Sequence, residues 1–294
     1  MTGIVAVHGK DFGLDDKPKI ELFFIKLSQL GFIPILSTAF SIICKKNKIE
    51  GCNSFKTYSS HKDLENVKYA FSFGGDGTLL EMLTHVGSRE VPIIGVNMGR
   101  LGFLATTSLE EIEQAVELLH KGDFEVDERA LLCMESNMGA FGNLNFALND
   151  FTIIKRDTSS MINVKVYLDG IYLNTYWADG LIISTPTGST GYSLSCGGPL
   201  VLPQSHNFVI TPVSPHNLNA RPLVVSDHCE LSFEIEARSN NILVSLDSRS
   251  MSVSADIKIT IKKDVKNGKL IKFNNYNQFE TMRNKLNWGI DFRN

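Results

Sequence analysis

The sequence has few of the features that mark an extracellular, membrane or nucleic-acid-binding protein. Five cysteines among 294 residues show no CxxC spacing, which predicts neither a zinc site nor a full disulfide framework. No apolar run approaches the length of a membrane span. The 29 basic and 32 acidic residues give a net charge of −3, so the broad positive field of a nucleic-acid-binding protein is missing.

We expect no secretory signal, because residues 1–7 are followed by polar and charged residues where a sustained apolar segment would be needed. We therefore expect reduced thiols and a cytoplasmic protein. Small phosphorylated ligands remain compatible with this composition, since they need only local donors. With 43% hydrophobic residues, the chain can bury a substantial core and is long enough for two domains.

Strand and helix patterns alternate in the first part of the sequence. Ser108 is expected to be the N-cap of a helix that has Glu111 three residues later. The alternation predicts βαβ units, and hence a parallel sheet covered by helices. The predicted strands are 4–7, 33–36, 69–73 and 92–96, and the predicted helices are 19–30, 78–86 and 108–120.

After residues 122–123 the pattern changes to short segments rich in Val, Ile, Phe, Tyr and Thr. The sequence thus predicts an α/β N-terminal domain with a parallel sheet at 1–122 and an all-β, β-sandwich-like C-terminal domain at 123–275. Residues 276–294 are expected to pack back on the first domain, with a short helix at 279–286. The strands predicted in the second domain are 151–154, 162–168, 180–184, 231–237, 242–246 and 257–262.

A glycine-rich turn, Gly74-Gly75-Asp76-Gly77-Thr78, follows the strand predicted at 69–73. Consecutive glycines let backbone N–H groups approach phosphate oxygens, and the following helix adds its positive N-terminal end. A carboxylate beside phosphates is repelled unless a metal screens it or it accepts a proton from the acceptor group. Asp76 therefore favours phosphoryl transfer, although a plain glycine turn with Asp76 as a helix cap stays open on this motif alone.

A second polar segment, Thr185-Pro186-Thr187-Gly188-Ser189-Thr190-Gly191-Tyr192, follows the strand predicted at 180–184. Its hydroxyl groups offer donors and acceptors, and its glycines permit close approach of a flat ligand. The segment is compatible with binding a ribose or an amide. A Ser/Thr-rich surface loop is the alternative, which the closely following Gly197-Gly198-Pro199 makes less favourable.

These motifs resemble those of ATP-dependent NAD kinases, which phosphorylate the 2′-hydroxyl of the adenosine ribose of NAD to give NADP. Diacylglycerol and sphingosine kinases, and phosphofructokinases, share a similar GGDG turn, so the threonine-rich segment carries the distinction. The order and spread of the motifs cover most of the chain. Besides the two segments above, the matching residues are Asn97-Met98-Gly99-Arg100-Leu101-Gly102-Phe103-Leu104, Ala147-Leu148-Asn149-Asp150 and Asp179-Gly180.

The resemblance implies a role for each matching residue. Asp76 would be the catalytic aspartate, which accepts the proton of the 2′-hydroxyl or orients that hydroxyl. The ATP phosphates would be bound by Gly74, Gly75, Gly77 and Thr78. NAD would be bound by Asn149, Asp150, Asp179, Thr187, Ser189, Thr190, Gly191, Tyr192 and Asp247.

The same resemblance implies partners and a cofactor. No metal-binding residues are implied, so Mg²⁺ or another divalent cation would arrive mainly with ATP. The expected ligands are NAD and ATP, with no nucleic acid and no membrane. A homo-oligomer, either a tetramer or a dimer, is expected.

Three positions depart from the family pattern. Asp150 stands where the family has a glutamate, Gly191 replaces a more usual alanine, and Ser248 follows Asp247 where glycine is frequent. Because a left-handed backbone costs serine more than glycine, the turn geometry at Ser248 is open. His216 is expected to make a loop hydrogen bond rather than to act in catalysis.

Two other functions remain open at the level of sequence. A lipid kinase would use the same glycine turn, but it would need an apolar acceptor pocket, against which the polar run 185–195 argues. A non-catalytic dinucleotide sensor would keep Asn149, Asp150 and Thr190 and would not need Asp76. The motifs distinguish neither NAD from NADH nor ATP from inorganic polyphosphate.

Overall fold

The computed structural model of the chain describes residues 2–99, 102–156, 160–273 and 277–287. The chain divides into two compact units, Met1–Glu128 with Lys269–Asn294, and Arg129–Gly268. The first division lies after the expected 122/123 boundary, because the composition change at residue 122 marks the end of a helix. The expected 275/276 boundary lies outside the described residues. The same holds for Arg100 and Leu101 of the quoted motif and for residues 288–294 of the predicted C-terminal segment.

The first unit alternates strands and helices as predicted. Ser108 caps a 3₁₀ turn, Leu109–Glu111, that leads into the last of these helices. One helix was missed, because it starts directly after a strand at Ser37, whose side chain accepts a hydrogen bond from Phe40 N at 3.2 Å. The elements are β1 (Gly3–Gly9), α1 (Lys17–Gln29), β2 (Phe32–Ser37), α2 (Thr38–Lys46), β3 (Lys56–Tyr58), β4 (Val67–Gly74), α3 (Asp76–Val86), β5 (Ile93–Asn97), β6 (Thr107–Ser108) and α4 (Ile112–Lys121).

The strands of this unit form a parallel sheet in the order β5-β4-β1-β2-β3, with β6 beside β5. The chain builds outward from β1 to β2 and β3, and then places β4 and β5 on the other side of β1. In an open α/β sheet, ligands bind outside the carboxyl ends of the strands where the strand order reverses in this way. That point lies between β1 and β4, where Gly9 pairs with Phe73.

Helices cover both faces of the sheet. On one face, Phe23 of α1 packs against Phe71 and Phe73 of β4, with ring centroids 4.9 and 4.8 Å apart. On the other face, a Cβ at Gly95 of β5 would lie 2.7 Å from Leu79 of α3. Because α3 packs so closely on β5, β4 and β1, its N-terminus is fixed at the carboxyl edge of the sheet.

The second unit is built from strands, with one short helix. The elements, in chain order, are β7 (Glu125–Ser136), β8 (Phe146–Ala147), β9 (Asp150–Lys155), β10 (Ile162–Leu168), β11 (Ile171–Ala178), β12 (Gly180–Ser184), α5 (Tyr192–Ser195), β13 (Asn207–Val213), β14 (Leu223–Ser226), β15 (Leu231–Glu236), β16 (Asn241–Leu246), β17 (Arg249–Ser254) and β18 (Ile259–Lys272). Of these, β7 begins and β18 ends within the residues of the first unit. The final helix, α6 (Gln278–Leu286), belongs to the first unit and is capped by the side chain of Asn277.

Two antiparallel sheets enclose the core of the second unit. One runs β14-β13-β12-β9-β16-β17, and the other contains β11-β10-β15 with the first residues of β18. Phe151 of β9 meets Phe233 of β15 across the core, with ring centroids 5.9 Å apart. The predicted fold class, an α/β domain with a parallel sheet plus a sandwich-like all-β domain, is confirmed.

The helices, the cysteines and the clusters of possible metal ligands each bear on an expectation from the sequence. None of the helices in the described part of the chain is long and apolar enough to cross a membrane. All five cysteines are free thiols. Within the described ranges, no group of three or more His, Cys, Asp or Glu side chains is arranged to hold a metal ion.

Candidate active site

The glycine turn lies at the reversal point of the parallel sheet. β4 ends at Gly74, and Gly75 is the N-cap of α3 without offering a side chain to it. The first N–H groups of a helix have no intrahelical partner. Gly75 and Gly77 are exposed, and a Cβ at either would meet no described atom within 4 Å. The N-terminus of α3 is therefore open to an anion.

Gly74 and Thr78 shape the turn itself. A Cβ at Gly74 would overlap the side chain of Thr78, which is only 2% exposed. The Thr78 amide donates to the carbonyl of Gly75 at 3.0 Å. Thr78 thus fills the inside of the turn, and its side chain does not face solvent.

The Asp76 carboxylate is held by the loop that follows β5. Oδ2 accepts a hydrogen bond from Phe103 N at 2.8 Å, and Oδ1 accepts from Leu104 N and Ala105 N, both at 2.9 Å. Gly102 lies against this carboxylate, because a Cβ there would overlap Oδ1. A carboxylate oxygen can accept two hydrogen bonds, so Oδ2 has one acceptor position that no residue in the described ranges fills.

A polar network joins α3 to β1 and β2, with His8 and Ser37 buried and with Glu81 and Lys10 reaching the surface. His8 Nδ1 lies 2.8 Å from Ser37 Oγ and His8 Nε2 lies 3.1 Å from Glu81 Oε2, while Lys10 Nζ contacts Glu81 Oε1 at 2.8 Å. Burial lowers the pKa of His8, and it lowers the pKa of His85, whose ring is 4.6 Å away, to about 4. Neutral imidazoles and an ionised Glu81 therefore join β1, β2 and α3 at neutral pH.

In the second unit, the Leu148–Asp150 peptide lies against the turn between β16 and β17. The Asp247 carboxylate accepts hydrogen bonds from Leu148 N at 3.0 Å, Asn149 N at 2.7 Å and Asp150 N at 3.3 Å. Asp247 has φ 53°, whereas Ser248 is not among the residues with positive φ. The left-handed residue of the turn is therefore Asp247, a residue type that tolerates this region, and not Ser248.

The side chains of Asn149 and Asp150 make no hydrogen bonds with the part of the chain that the structure describes. Asp150 is only 7% exposed. Burial, with the nearby charge of Asp247 as the second cause, raises the pKa of Asp150 to about 7. The side-chain polar atoms of Asn149 and Asp150 are not fully enclosed, so both side chains keep hydrogen-bonding capacity that a ligand can reach.

The threonine-rich segment packs on this peptide. Thr185 N donates to Asn149 O at 2.8 Å, and Gly188 has no room for a Cβ against the Asn149 backbone. A Cβ at Gly191 would lie 3.7 Å from Asp150 Oδ2 and 3.9 Å from Asn149 Nδ2. The structure thus brings together Asn149, Asp150 and Gly191, which the resemblance assigned to one ligand.

The other predicted residues have partners within the unit. Thr187 Oγ1 accepts from Arg129 Nη1 at 3.3 Å, and the buried Ser189 hydroxyl donates to Val201 O at 3.1 Å. Thr190 Oγ1 donates to Thr187 O at 3.2 Å. Hydroxyl groups of this segment therefore also hold its own shape.

Asp179 and Tyr192 lie nearer the surface. Asp179 pairs with Lys155 at 2.6 Å. Tyr192 begins α5, is 44% exposed and contacts Cys196. His216 donates its backbone N–H to Trp177 O at 2.9 Å, and its ring lies on Trp177. The loop hydrogen bond expected at His216 comes from its main chain.

Sequence reasoning missed several residues that build these sites. Gly102 belongs to a quoted motif, but its contact with Asp76 joins residues that are distant in the chain. Thr185 was noted only as one hydroxyl of its motif. Nothing in the sequence signalled Arg129, which is buried at 2% exposure.

The comparisons with known proteins agree along the chain. The family model for the ATP-NAD kinase N-terminal domain matches residues 40–124, and that for the C-terminal domain matches residues 148–273. The NAD kinase of Cytophaga hutchinsonii is 49% identical over 293 residues, covering 99% of this chain and 100% of that protein. The NAD kinase of Flavobacterium psychrophilum is 45% identical and covers 99% of both chains.

Solved structures give the same result. The crystal structure of an NAD kinase from Archaeoglobus fulgidus in complex with ATP is similar with a TM-score of 0.76 at 28% identity, over 97% of this chain and 98% of that chain. Yeast NADH kinase complexed with NADH shares the fold with a TM-score of 0.85 at 22% identity, over 99% of this chain and 89% of that chain. The predicted family and enzyme class are confirmed: the chain belongs to the ATP-NAD kinase family.

Proposed function

We propose that this enzyme transfers the γ-phosphate of ATP to the 2′-hydroxyl of the adenosine ribose of NAD. The 2′-oxygen forms a bond to the γ-phosphorus, the bond between the γ-phosphorus and its bridging oxygen breaks, and ADP and NADP result. The observation that carries the proposal is the fixed Asp76 carboxylate at the N-terminus of α3, whose Oδ2 has one acceptor position that the described part of the chain leaves open. That oxygen orients the 2′-hydroxyl and takes its proton as transfer proceeds.

The ATP phosphates are assigned to the open N-terminus of α3. The amides at Gly75 and Gly77 approach the phosphate oxygens, while Gly74 and Thr78 maintain the turn that presents them. A divalent cation such as Mg²⁺ would enter with ATP as part of the substrate and would neutralise charge on its phosphates. Positioning and charge neutralisation supply most of the acceleration in such a transfer.

NAD is assigned to the second unit. Asn149 and Asp150 bind ribose hydroxyls and adenine through side chains that lack other hydrogen-bond partners within the described residues. Thr190, Gly191 and Tyr192 line the same ligand, and Asp179, paired with Lys155, faces its nicotinamide end. Thr187 and Ser189 contribute through the shape of their segment.

The test is a coupled assay for NADP formation from NAD and Mg-ATP, with wild type and Asp76→Asn side by side. We expect the variant to lose about 10²- to 10⁴-fold in kcat while it still binds NAD. Asp63→Asn is a matched control, since the Asp63 carboxylate accepts hydrogen bonds from Ser59 N and Ser60 N in an exposed turn. It should change kcat by less than about twofold.

Two outcomes contradict separate parts of this proposal. No NADP from wild type, across divalent metals and phosphoryl donors, would reject the reaction. Full activity of Asp76→Asn, with NADP formed by wild type, would reject only the role of Asp76.

We also propose a cytoplasmic homo-oligomer. The five free thiols fit a reducing compartment. Ile171, Tyr172 and Trp177 on the edge strand β11 are 73%, 55% and 51% exposed, and a second copy would cover them. Light scattering at assay concentration should give a dimer or tetramer mass; a monomer mass would reject the oligomer.

A further inference from the structure

The Leu148–Asp150 peptide is held on both its N–H side and its C=O side. Asp247 accepts from all three amides. Thr185 donates to two carbonyls, from Oγ1 to Leu148 O and from N to Asn149 O. The third carbonyl, that of Asp150, accepts from Asp247 N at 2.9 Å. All six backbone polar groups of the peptide are thus bound by Asp247 or Thr185.

We propose that Asp247 and Thr185 are positioning residues that hold this peptide so that the side chains of Asn149 and Asp150 face NAD. The inference rests on the proposed function. The resemblance implied that Asp247 binds NAD directly. The inference gives it a different role, because the three hydrogen bonds that its carboxylate accepts come from the amides of the peptide. Direct contact with NAD is not needed for its effect.

Thr185 extends the arrangement to the threonine-rich segment. Its Oγ1 also accepts from Gly188 N at 3.2 Å, so one side chain contacts both the Leu148 carbonyl and the segment that carries Gly191. Thr185 is fully buried, so its side chain is not at the surface that a ligand would contact. A change in this hydroxyl should therefore disturb NAD binding without removing a ligand contact.

Asp247 places a charge close to Asp150, which distinguishes its role from a purely structural one. The other titratable or charged groups in this region are Tyr192 and Cys196, which interact with Asp150, and Arg249, which interacts with Asp247. Removing the charge at 247 should make Asp150 easier to ionise. The pH at which NAD binding strengthens therefore reports on Asp247.

The first experiment measures kcat and the KM of both substrates for Asp247→Asn, Thr185→Val and Thr185→Ser. The asparagine puts an NH₂ group against amide donors, so we expect KM for NAD to rise about 10- to 100-fold and KM for ATP to stay within about twofold. Thr185→Val should raise KM for NAD about tenfold. Thr185→Ser keeps the hydroxyl and should stay within about threefold of wild type.

Asp169→Asn is the matched control. Asp169 also has positive φ, 51°, in the short turn between β10 and β11, and its carboxylate accepts from Glu230 N at 2.8 Å. The same chemical change there should leave both KM values unchanged, because Asp169 has no contact with the Leu148–Asp150 peptide.

The second experiment measures kcat/KM for NAD against pH. Wild type should show an acidic limb near the Asp150 pKa, which is about 7, since the ionised carboxylate is the better acceptor for ribose hydroxyls. In Asp247→Asn the limb should move to lower pH, and in Asp150→Asn it should disappear.

The inference is overturned if Asp247→Asn leaves KM for NAD and the pH limb unchanged, or if KM rises equally for both substrates. Failure of Thr185→Ser to restore binding lost in Thr185→Val would also overturn it. If Asp247→Asn does not fold, the two Thr185 variants decide, because they leave every charge in place. NAD affinity is also measured by calorimetry for each variant, without turnover. The proposed reaction is tested separately, by NADP formation with the wild-type enzyme, so failure of one can be distinguished from failure of the other.

Discussion

Each unit holds one aspartate in the same way, and yet the two aspartates have different surroundings. Asp76 and Asp247 each accept three backbone N–H bonds, two on Oδ1 and one on Oδ2. Asp76 is the first residue of a helix, where the positive end of the helix dipole favours a carboxylate. Asp247 stands in a left-handed turn beside a second acid, Asp150.

The proposed function gives these two aspartates different roles. In the first unit, the fixed aspartate begins α3 beside the exposed Gly75 and Gly77, so under the proposed function the fixed group and the reactive group are one. In the second unit, the fixed aspartate organises a peptide whose neighbouring side chains, Asn149 and Asp150, are left for the ligand. On this proposal, one hydrogen-bond arrangement supports a reactive group in one unit and a binding surface in the other.

The largest effect is expected from a substitution at Gly102, which should disrupt the hydrogen bonds of Asp76 and leave those of Asp247 intact. In Gly102→Ala the new Cβ would overlap Asp76 Oδ1, so the carboxylate must leave its amides. We expect kcat to fall about 10²- to 10³-fold, because a misplaced catalytic group loses most of its effect, and stability to fall by about 1–3 kcal/mol. Steady-state kinetics and urea unfolding measure the two effects.

Gly13→Ala is the control for this change. Its φ is −75°, and a Cβ there would meet its nearest atom only at 3.9 Å. Equal activity of the Gly102 and Gly13 variants would show that the Asp76 arrangement is not required.

The second unit is tested through the pH dependence of stability in Asp150→Asn. The native pKa of Asp150 is about 7 against an ordinary value of 3.8, so between about pH 4 and 7 the native state keeps a proton that the unfolded chain has released. Stability should therefore fall as pH rises through this window, by on the order of 2–4 kcal/mol. The asparagine variant stays neutral and should lack this decline.

The measurement is the difference in unfolding free energy between wild type and Asp150→Asn, taken from pH 4 to 8. His85, with a pKa lowered to about 4 by burial, contributes the opposite slope between about pH 4 and 6.5 in both proteins, so it cancels in the difference. A difference that does not change with pH would contradict the raised pKa of Asp150.

The sequence was sufficient for the fold class because periodicity and glycine position are local signals. β10 and β12 lie at 162–168 and 180–184, where alternation or a continuous apolar run was clear. β17 (Arg249–Ser254) was missed because most of its residues are polar, as an edge strand permits. β11, another edge strand, exposes its apolar residues and was missed as well.

The contacts that build the sites could not be obtained from local signals. Asp247 meets the Leu148–Asp150 peptide only because β16 pairs with β9, with Leu246 opposite Phe151. Nothing in a single sequence states which strands become neighbours. The turn between β16 and β17 is a second example. The sequence left open a left-handed backbone at Ser248, whereas the residue with positive φ is Asp247.

The smallest effect is expected from Gly191→Ala, which tests how rigid the threonine-rich segment of the second unit is. Gly191 stands where the resemblance led us to expect alanine, and a Cβ there would lie 3.2 Å from Gly188 O. A shift of a few tenths of an ångström relieves that contact, and alanine reduces the backbone freedom of the unfolded chain. We expect Gly191→Ala to stabilise the protein by about 0.5 kcal/mol and to lower KM for NAD by about twofold, as measured by urea unfolding and steady-state kinetics. A loss of stability instead would mean that Gly188 cannot move, because Thr185 and the Asn149 backbone hold it, and the segment would then be as rigid as the peptide on which it packs.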